Sequence, residues 1–111
     1  MAGFLPLKPA WFHILLTLSE QPSHGYAIRQ AVQARTEGRI QLWPATLYGS
    51  LSEIEESGLI DEWQPGGALD DVARRFYKLT PVGRRVLVAE TERLEGLVRL
   101  ARAALRGRGP A

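Results

Sequence analysis

The chain has 111 residues, a formal net charge of +2, 45% hydrophobic residues and no cysteine. That length implies one domain with a modest core, and the lack of thiols excludes a disulfide framework and any Cys-based zinc or redox centre. No apolar window of about 20 residues offers a membrane span, and Met1 to Leu7 lacks the basic and apolar regions of a signal peptide, so a cytoplasmic protein without membrane contact is expected.

Charge is unevenly distributed along this sequence. From Ile40 to Ala73 there is no Lys or Arg, and seven of the twelve acids fall there: Glu53, Glu55, Glu56, Asp61, Glu62, Asp70 and Asp71. From Arg74 to Ala111 ten basic residues face three acids. A basic segment can bind a polyanion; a solvated helix face with i, i+4 pairs accounts for the same charges without a partner.

Residues 1–7 are expected to be a flexible lead-in. A first helix starts near Pro9, with Trp11, Ile14, Leu15 and Leu18 in one stripe that Phe12 and Leu16 widen, and His13, Thr17 and Glu20 on a polar side. A stripe this wide implies more than one packing neighbour. Gln21-Pro22-Ser23 breaks the helix, and the Ser23 hydroxyl is placed to cap a second helix over His24 to Thr36. Ala27, Ile28, Ala31 and Val32 form its buried stripe, and Gly38 is its left-handed C-terminal cap. Arg39-Ile40-Gln41-Leu42 alternates polar and apolar residues and predicts a short strand.

The third helix runs from Pro44 to Ser57. Proline opens it and Gly58 closes it, while Leu47, Leu51 and Ile54 recur at i, i+4, i+7 as an inward face. Ala45, Tyr48, Gly49 and Ser52 fall on the opposite face. Strands follow at Leu59–Gln64 and Arg74–Leu79, joined by a Pro65-Gly66-Gly67 turn and a loop carrying Asp70 and Asp71. Thr80-Pro81 starts the last helix with a capping threonine and a proline at the first helical position. From Pro81 to Leu105 that helix would extend about 37 Å, too long to pack wholly on a domain of this size. Leu87, Leu94 and Ala101, with Leu97 and Ala104 and with Val98 alongside, make a coiled-coil-like seam that Glu90 interrupts. Residues 107–111 have the composition of a disordered tail.

The order is helix, helix, short strand, helix, strand, strand, long helix. The predicted fold is therefore mainly α with a small β-hairpin: a winged helix-turn-helix over residues 1–80, then a C-terminal dimerisation helix over residues 81–106. In such folds the third helix enters a major groove of double-stranded DNA.

Four motifs in order resemble the PadR family of bacterial transcriptional regulators: Ser23-His24-Gly25-Tyr26, Pro44-Ala45-Thr46-Leu47-Tyr48, Leu51-x-x-Ile54-Glu55-x-x-Gly58-Leu59-Ile60, and Arg75-Phe76-Tyr77-Lys78-Leu79-Thr80-Pro81-x-Gly83. The resemblance covers roughly residues 10–105 and implies a homodimeric DNA-binding repressor of the short form, with one C-terminal helix. It assigns Ser23, Tyr26, Pro44, Ala45, Thr46 and Tyr48 to the DNA-facing side. Four residues depart from the family pattern. Trp43 stands where serine often precedes the proline, Gly49 where a basic residue often follows the tyrosine, and Asp70 and Asp71 lie at the wing tip.

Phosphate neutralisation supplies most of the free energy of DNA binding, and the predicted recognition helix carries no basic side chain. That charge must come from Lys8, Arg29, Arg39, Arg74, Arg75 or Lys78, of which Arg39, Arg74, Arg75 and Lys78 flank the third helix or lie on the wing. Thr46 and Ala45 suit contact with a thymine methyl. The dimer contact is assigned to Leu87, Leu94, Leu97, Val98, Ala101 and Ala104. His13 and His24 lie on different helices and form no metal pair, and no residue set suggests catalysis or a cofactor. Trp11, Trp43 and Trp63 fit core and hairpin packing; an alternative role is an aromatic pocket between protomers for a small flat apolar effector, as several PadR relatives respond to aromatic compounds. The basic-free, acid-rich stretch motivates a second functional class, a winged-helix scaffold that binds protein instead of DNA.

Overall fold

The computed structural model describes residues 2–64 and 75–107. A 3-10 turn, Ala2–Phe4, leads to α1 (Pro9–Glu20), β1 (Ser23–His24), α2 (Gly25–Arg35), α3 (Pro44–Glu56), β2 (Ile60–Trp63), β3 (Phe76–Leu79) and α4 (Pro81–Gly107). The strands form one antiparallel sheet in the order β1-β3-β2, with Ser23 opposite Tyr77 and Ile60 opposite Leu79. Three helices and a hairpin in this order make a winged helix-turn-helix, and α4 extends from it.

The expected apolar stripes build the core. Ile14, Leu15 and Leu18 of α1, Ile28 and Val32 of α2, and Leu47, Leu51 and Ile54 of α3 are buried with Leu59, Ile60, Tyr77 and Val86. The wide stripe of α1 is explained by its neighbours: α1 packs against α2, α3, α4 and β3. Removal of this surface from water contributes about 25 cal/mol per Å², so the central helix carries much of the domain's cohesion.

Four local expectations are corrected. The third strand is Ser23–His24, not Arg39–Leu42. The alternation at 39–42 reflects anchoring: Leu42 is buried, and the Ile40 N–H donates to Thr36 Oγ1 at 3.1 Å. Ser23 does not cap α2, because it is committed to β1. His24 is the cap, its Nδ1 accepting from the Ala27 N–H at 3.2 Å. The polar side assigned to α1 is partly internal: Thr17 is buried and accepts from Arg35 Nη1 at 3.1 Å. The lead-in is also packed. Leu7 is buried, Phe4 and Leu5 lie against the core, and the Leu7 N–H donates to Glu90 Oε2 at 3.1 Å.

That last bond redefines Glu90. It is a buried carboxylate, 2% exposed, held by Leu7 and by two bonds from Arg93, so it joins the chain's own N-terminal segment instead of interrupting a seam. The Arg93 bonds, the largest influence, hold the Glu90 carboxyl below the usual carboxylate range against the opposing effect of burial, with the Leu7 N–H assisting.

The junction between hairpin and α4 is tightly made. Thr80 Oγ1 accepts from the Gly83 N–H at 2.9 Å and donates to the Gly58 carbonyl at 2.7 Å. Gly58, at φ +82°, turns the chain out of α3, a conformation that favours glycine. Gly38 likewise takes a positive φ, +78°, after α2.

Candidate nucleic-acid interface

The exposed face of α3 is built at its N-terminal end. Leu47, Leu51 and Ile54 fix the helix from below, leaving Pro44, Ala45, Thr46, Tyr48 and Gly49 exposed. The helix starts without a side-chain cap; its Trp43 carbonyl accepts from the Leu47 N–H at 2.8 Å. Uncapped N–H groups and the positive end of the helix dipole both favour an anion.

Tyr48 is half-exposed, and its ring lies over Gly25 at the start of α2. A Cβ at Gly25 would come within 2.8 Å of Tyr48 Oη and 3.1 Å of two ring carbons. Next to Gly25 along α2, Tyr26 is exposed and Gln30 Nε2 donates to its hydroxyl oxygen. The Arg29 guanidinium lies 5.3 Å from the centre of the Trp43 ring. The N-terminal ends of α2 and α3 thus meet in two contacts, Tyr48 over Gly25 and Arg29 beside Trp43, and the exposed residues around them form the candidate surface. His24 ties this surface to the hairpin by an edge-to-face contact with Phe76, which meets Trp63 in turn.

The sequence-predicted residues separate into distinct groups. Pro44, Ala45, Thr46 and Tyr48 are exposed on α3, and Tyr26 is exposed on α2. Ser23 is buried in β1, 8% exposed, so its contribution is to the sheet. Arg39 is exposed in the segment before α3. On the wing, Arg75 lies 3.9 Å from Glu62, and Lys78 is paired in register with Asp61. An exposed pair such as Arg75–Glu62 contributes at most about 1 kcal/mol, and both Arg75 and Lys78 stay exposed. Arg74, the Pro65-Gly66-Gly67 turn and Asp70 and Asp71 lie outside the described residues, as does most of the predicted tail. The pairing of Arg29 with Trp43 was not legible in the sequence, since the two residues lie on different elements and share no periodicity.

Along α4, Leu87 is filled by its own core. Leu94 is half-buried, while Leu97 and Val98 are 49% and 51% exposed and Ala101 and Ala104 are exposed. A depression of about 430 Å³ on this helix is lined by Thr91, Leu94, Glu95, Val98, Arg99 and Arg102. Within one protomer each indole has its own partner: Lys8 Nζ lies 5.7 Å from the Trp11 ring centre, Arg29 Cζ lies beside Trp43, and Phe76 meets Trp63 edge to face. Among the described residues, no cluster of His, Cys, Asp and Glu could hold a metal ion, and no helix is long and apolar enough to cross a membrane.

Comparison with known proteins agrees with this architecture. The chain is 36% identical over 87 residues to a transcriptional regulator of Mycobacterium tuberculosis, covering 78% of this chain and 77% of that protein. It is 35% identical over 88 residues to an uncharacterised transposon protein of Streptomyces fradiae, covering 77% of this chain and 24% of that protein's length. A PadR family transcription regulator from Clostridium difficile superposes with a TM-score of 0.71 at 21% identity, covering 88% of this chain and 99% of that one. The family model described as the transcriptional regulator PadR-like family matches residues 14–89. This is a family of transcription regulators, not of enzymes, and DNA binding accompanies it. The chain belongs to the PadR-like family of transcriptional regulators.

Proposed function

We propose that this protein is a dimeric, sequence-specific repressor in which the N-terminal half of α3 enters the DNA major groove. The observation that carries the reading is the uncharged, exposed α3 surface at Ala45, Thr46 and Tyr48, flanked by the Arg29–Trp43 pair. Thr46 and Ala45 supply a methyl-compatible edge for thymine, Tyr48 a hydroxyl for the backbone, and Arg39, Arg75 and Lys78 phosphate charge. Repression follows if the bound protein occupies promoter DNA that polymerase requires.

Dimerisation is assigned to α4. Its inward stripe packs on its own domain as far as Glu90 and then continues into exposed Leu97, Val98, Ala101, Ala104 and Leu105. One helical face thus changes partner along its length, and a second copy of α4 would cover the outer half. Two α3 helices would then meet half-sites about 10 bp apart.

The protein-scaffold alternative draws on exposed Glu53 and Glu56 of α3. Glu53 lies about 13 Å along the helix from Pro44, so the acids occupy the far end and leave the N-terminal surface uncharged. The test is a titration of promoter fragments, including the chain's own, at two salt concentrations. Binding that weakens steeply with salt is expected; no shift at either concentration refutes the DNA reading.

A further inference from the structure

We infer that Trp43 is a positioning residue for DNA binding, holding Arg29 against the start of α3 so that its guanidinium meets a DNA phosphate. The inference rests on the DNA-binding reading above. Three observations carry it. The Arg29 carbon Cζ sits 5.3 Å from the Trp43 ring centre, within the range of a cation–π contact. Arg29 Nε is buried with no hydrogen-bond partner among the described residues, so that edge of the guanidinium is held by packing. Trp43 is 59% exposed although it is the chain's entry to α3, and its indole does not cap the helix.

An exposed tryptophan with no capping role needs another explanation, and the guanidinium supplies one. The Trp43 backbone is fixed by its bond from Leu47, so the indole moves with α3. Arg29 belongs to α2. Stacking between them fixes the cation relative to the neighbouring surface of Ala45, Thr46 and Tyr48. This also answers the charge shortage of α3, which has no basic side chain of its own. An arginine restrained before binding loses less side-chain freedom on meeting a phosphate than a free one, and its planar fork suits that oxygen geometry.

The experiment measures binding to a mixed-sequence duplex of about 30 bp between about 50 and 200 mM salt, for the wild type, Arg29→Gln, Trp43→Ala, Trp43→Met, Trp43→Phe and the Arg29→Gln/Trp43→Ala double variant. Each dimer carries two copies, so Arg29→Gln should reduce the log–log salt slope by about two and weaken binding about tenfold. Trp43→Ala and Trp43→Met should lower slope and affinity in the same sense, whereas Trp43→Phe, which keeps an aromatic face, should remain close to wild type. The double variant should bind no worse than Arg29→Gln. Thermal melts identify any variant that fails to fold; Trp43→Met retains apolar bulk for that case. An unchanged slope in folded Trp43→Ala and Trp43→Met overturns the inference, and additive losses overturn it in favour of direct contact between Trp43 and DNA. If the wild type shows no salt-dependent binding, the DNA reading itself fails.

Discussion

Replacing Gly83 with alanine tests how α4 is joined to the winged domain. A Cβ at this position would fall on the Leu59 carbonyl and lie 2.9 Å from Leu79 Cδ1. The carbonyl belongs to the backbone and already accepts from the Thr80 N–H at 3.0 Å, so it cannot simply rotate away. The first turn of α4 must withdraw, loosening the Thr80 bonds to Gly83 and Gly58. Overpacking of this kind costs about 1–3 kcal/mol, two weakened hydrogen bonds cost about 2 kcal/mol together, and the helix propensity of alanine returns about 1 kcal/mol. The net loss is about 2–4 kcal/mol, or a fall in Tm of about 10–20 °C for a chain of this size. Urea unfolding at fixed protomer concentration reads it. Gly96→Ala is the internal control, because that helical glycine has nothing within 4 Å of an added Cβ and should gain about 0.5–1 kcal/mol. If Gly83→Ala stabilises as Gly96→Ala does, the close approach of α4 to Leu59 is refuted.

Leu97→Glu places two charges in the proposed α4 interface and should raise the dimer dissociation constant at least about 100-fold, about 2.8 kcal/mol, as read by sedimentation; an unchanged dimer removes α4 from that role. Gly25→Ala pushes Tyr48 off its seat and should weaken DNA binding about tenfold while Tm moves little; unchanged affinity would remove Tyr48 from the contact surface. Glu90 has a folded pKa held below its unfolded value of 4.5, so its contribution is complete above that pH and is lost as pH falls through the lower folded value. Glu90→Gln should therefore flatten the acid limb of a stability–pH curve below about pH 4.5. His13, lowered from 6.5 chiefly by burial and next by Arg35, has the same sign: its contribution is present above 6.5 and is lost as pH falls through the folded value, a limb that His13→Leu should remove.

Much of the fold was legible because helix-period apolar residues dictated it. Leu47, Leu51 and Ile54 marked α3, and Thr80-Pro81 marked the start of α4. Misplaced elements arose where pattern and pairing part company. Ile40 and Leu42 alternate like a strand but anchor a loop, whereas Ser23 and His24 form a strand too short for any period to register. Glu90 looked like a flaw in an apolar seam because one of its partners, the Leu7 N–H, lies 83 residues away. At the candidate site, helical spacing placed Ala45 and Tyr48 on the exposed face of α3, and the family motif added Thr46. The Tyr48–Gly25 and Arg29–Trp43 contacts depend on how α2 meets α3, which one-dimensional spacing does not encode. Ser23 showed the reverse error: a polar residue in a recognisable motif, but buried by its strand.

The central claim is that paired α3 helices read DNA through their N-terminal surfaces, and selection of bound sequences from a random duplex library tests it most directly. The account predicts an enriched pseudo-palindrome with half-sites about one DNA turn apart, and loss of that enrichment, with residual salt-sensitive binding, in a Thr46→Ala/Tyr48→Ala variant. An unchanged selected sequence in that variant, or no enrichment by the wild type, would contradict it.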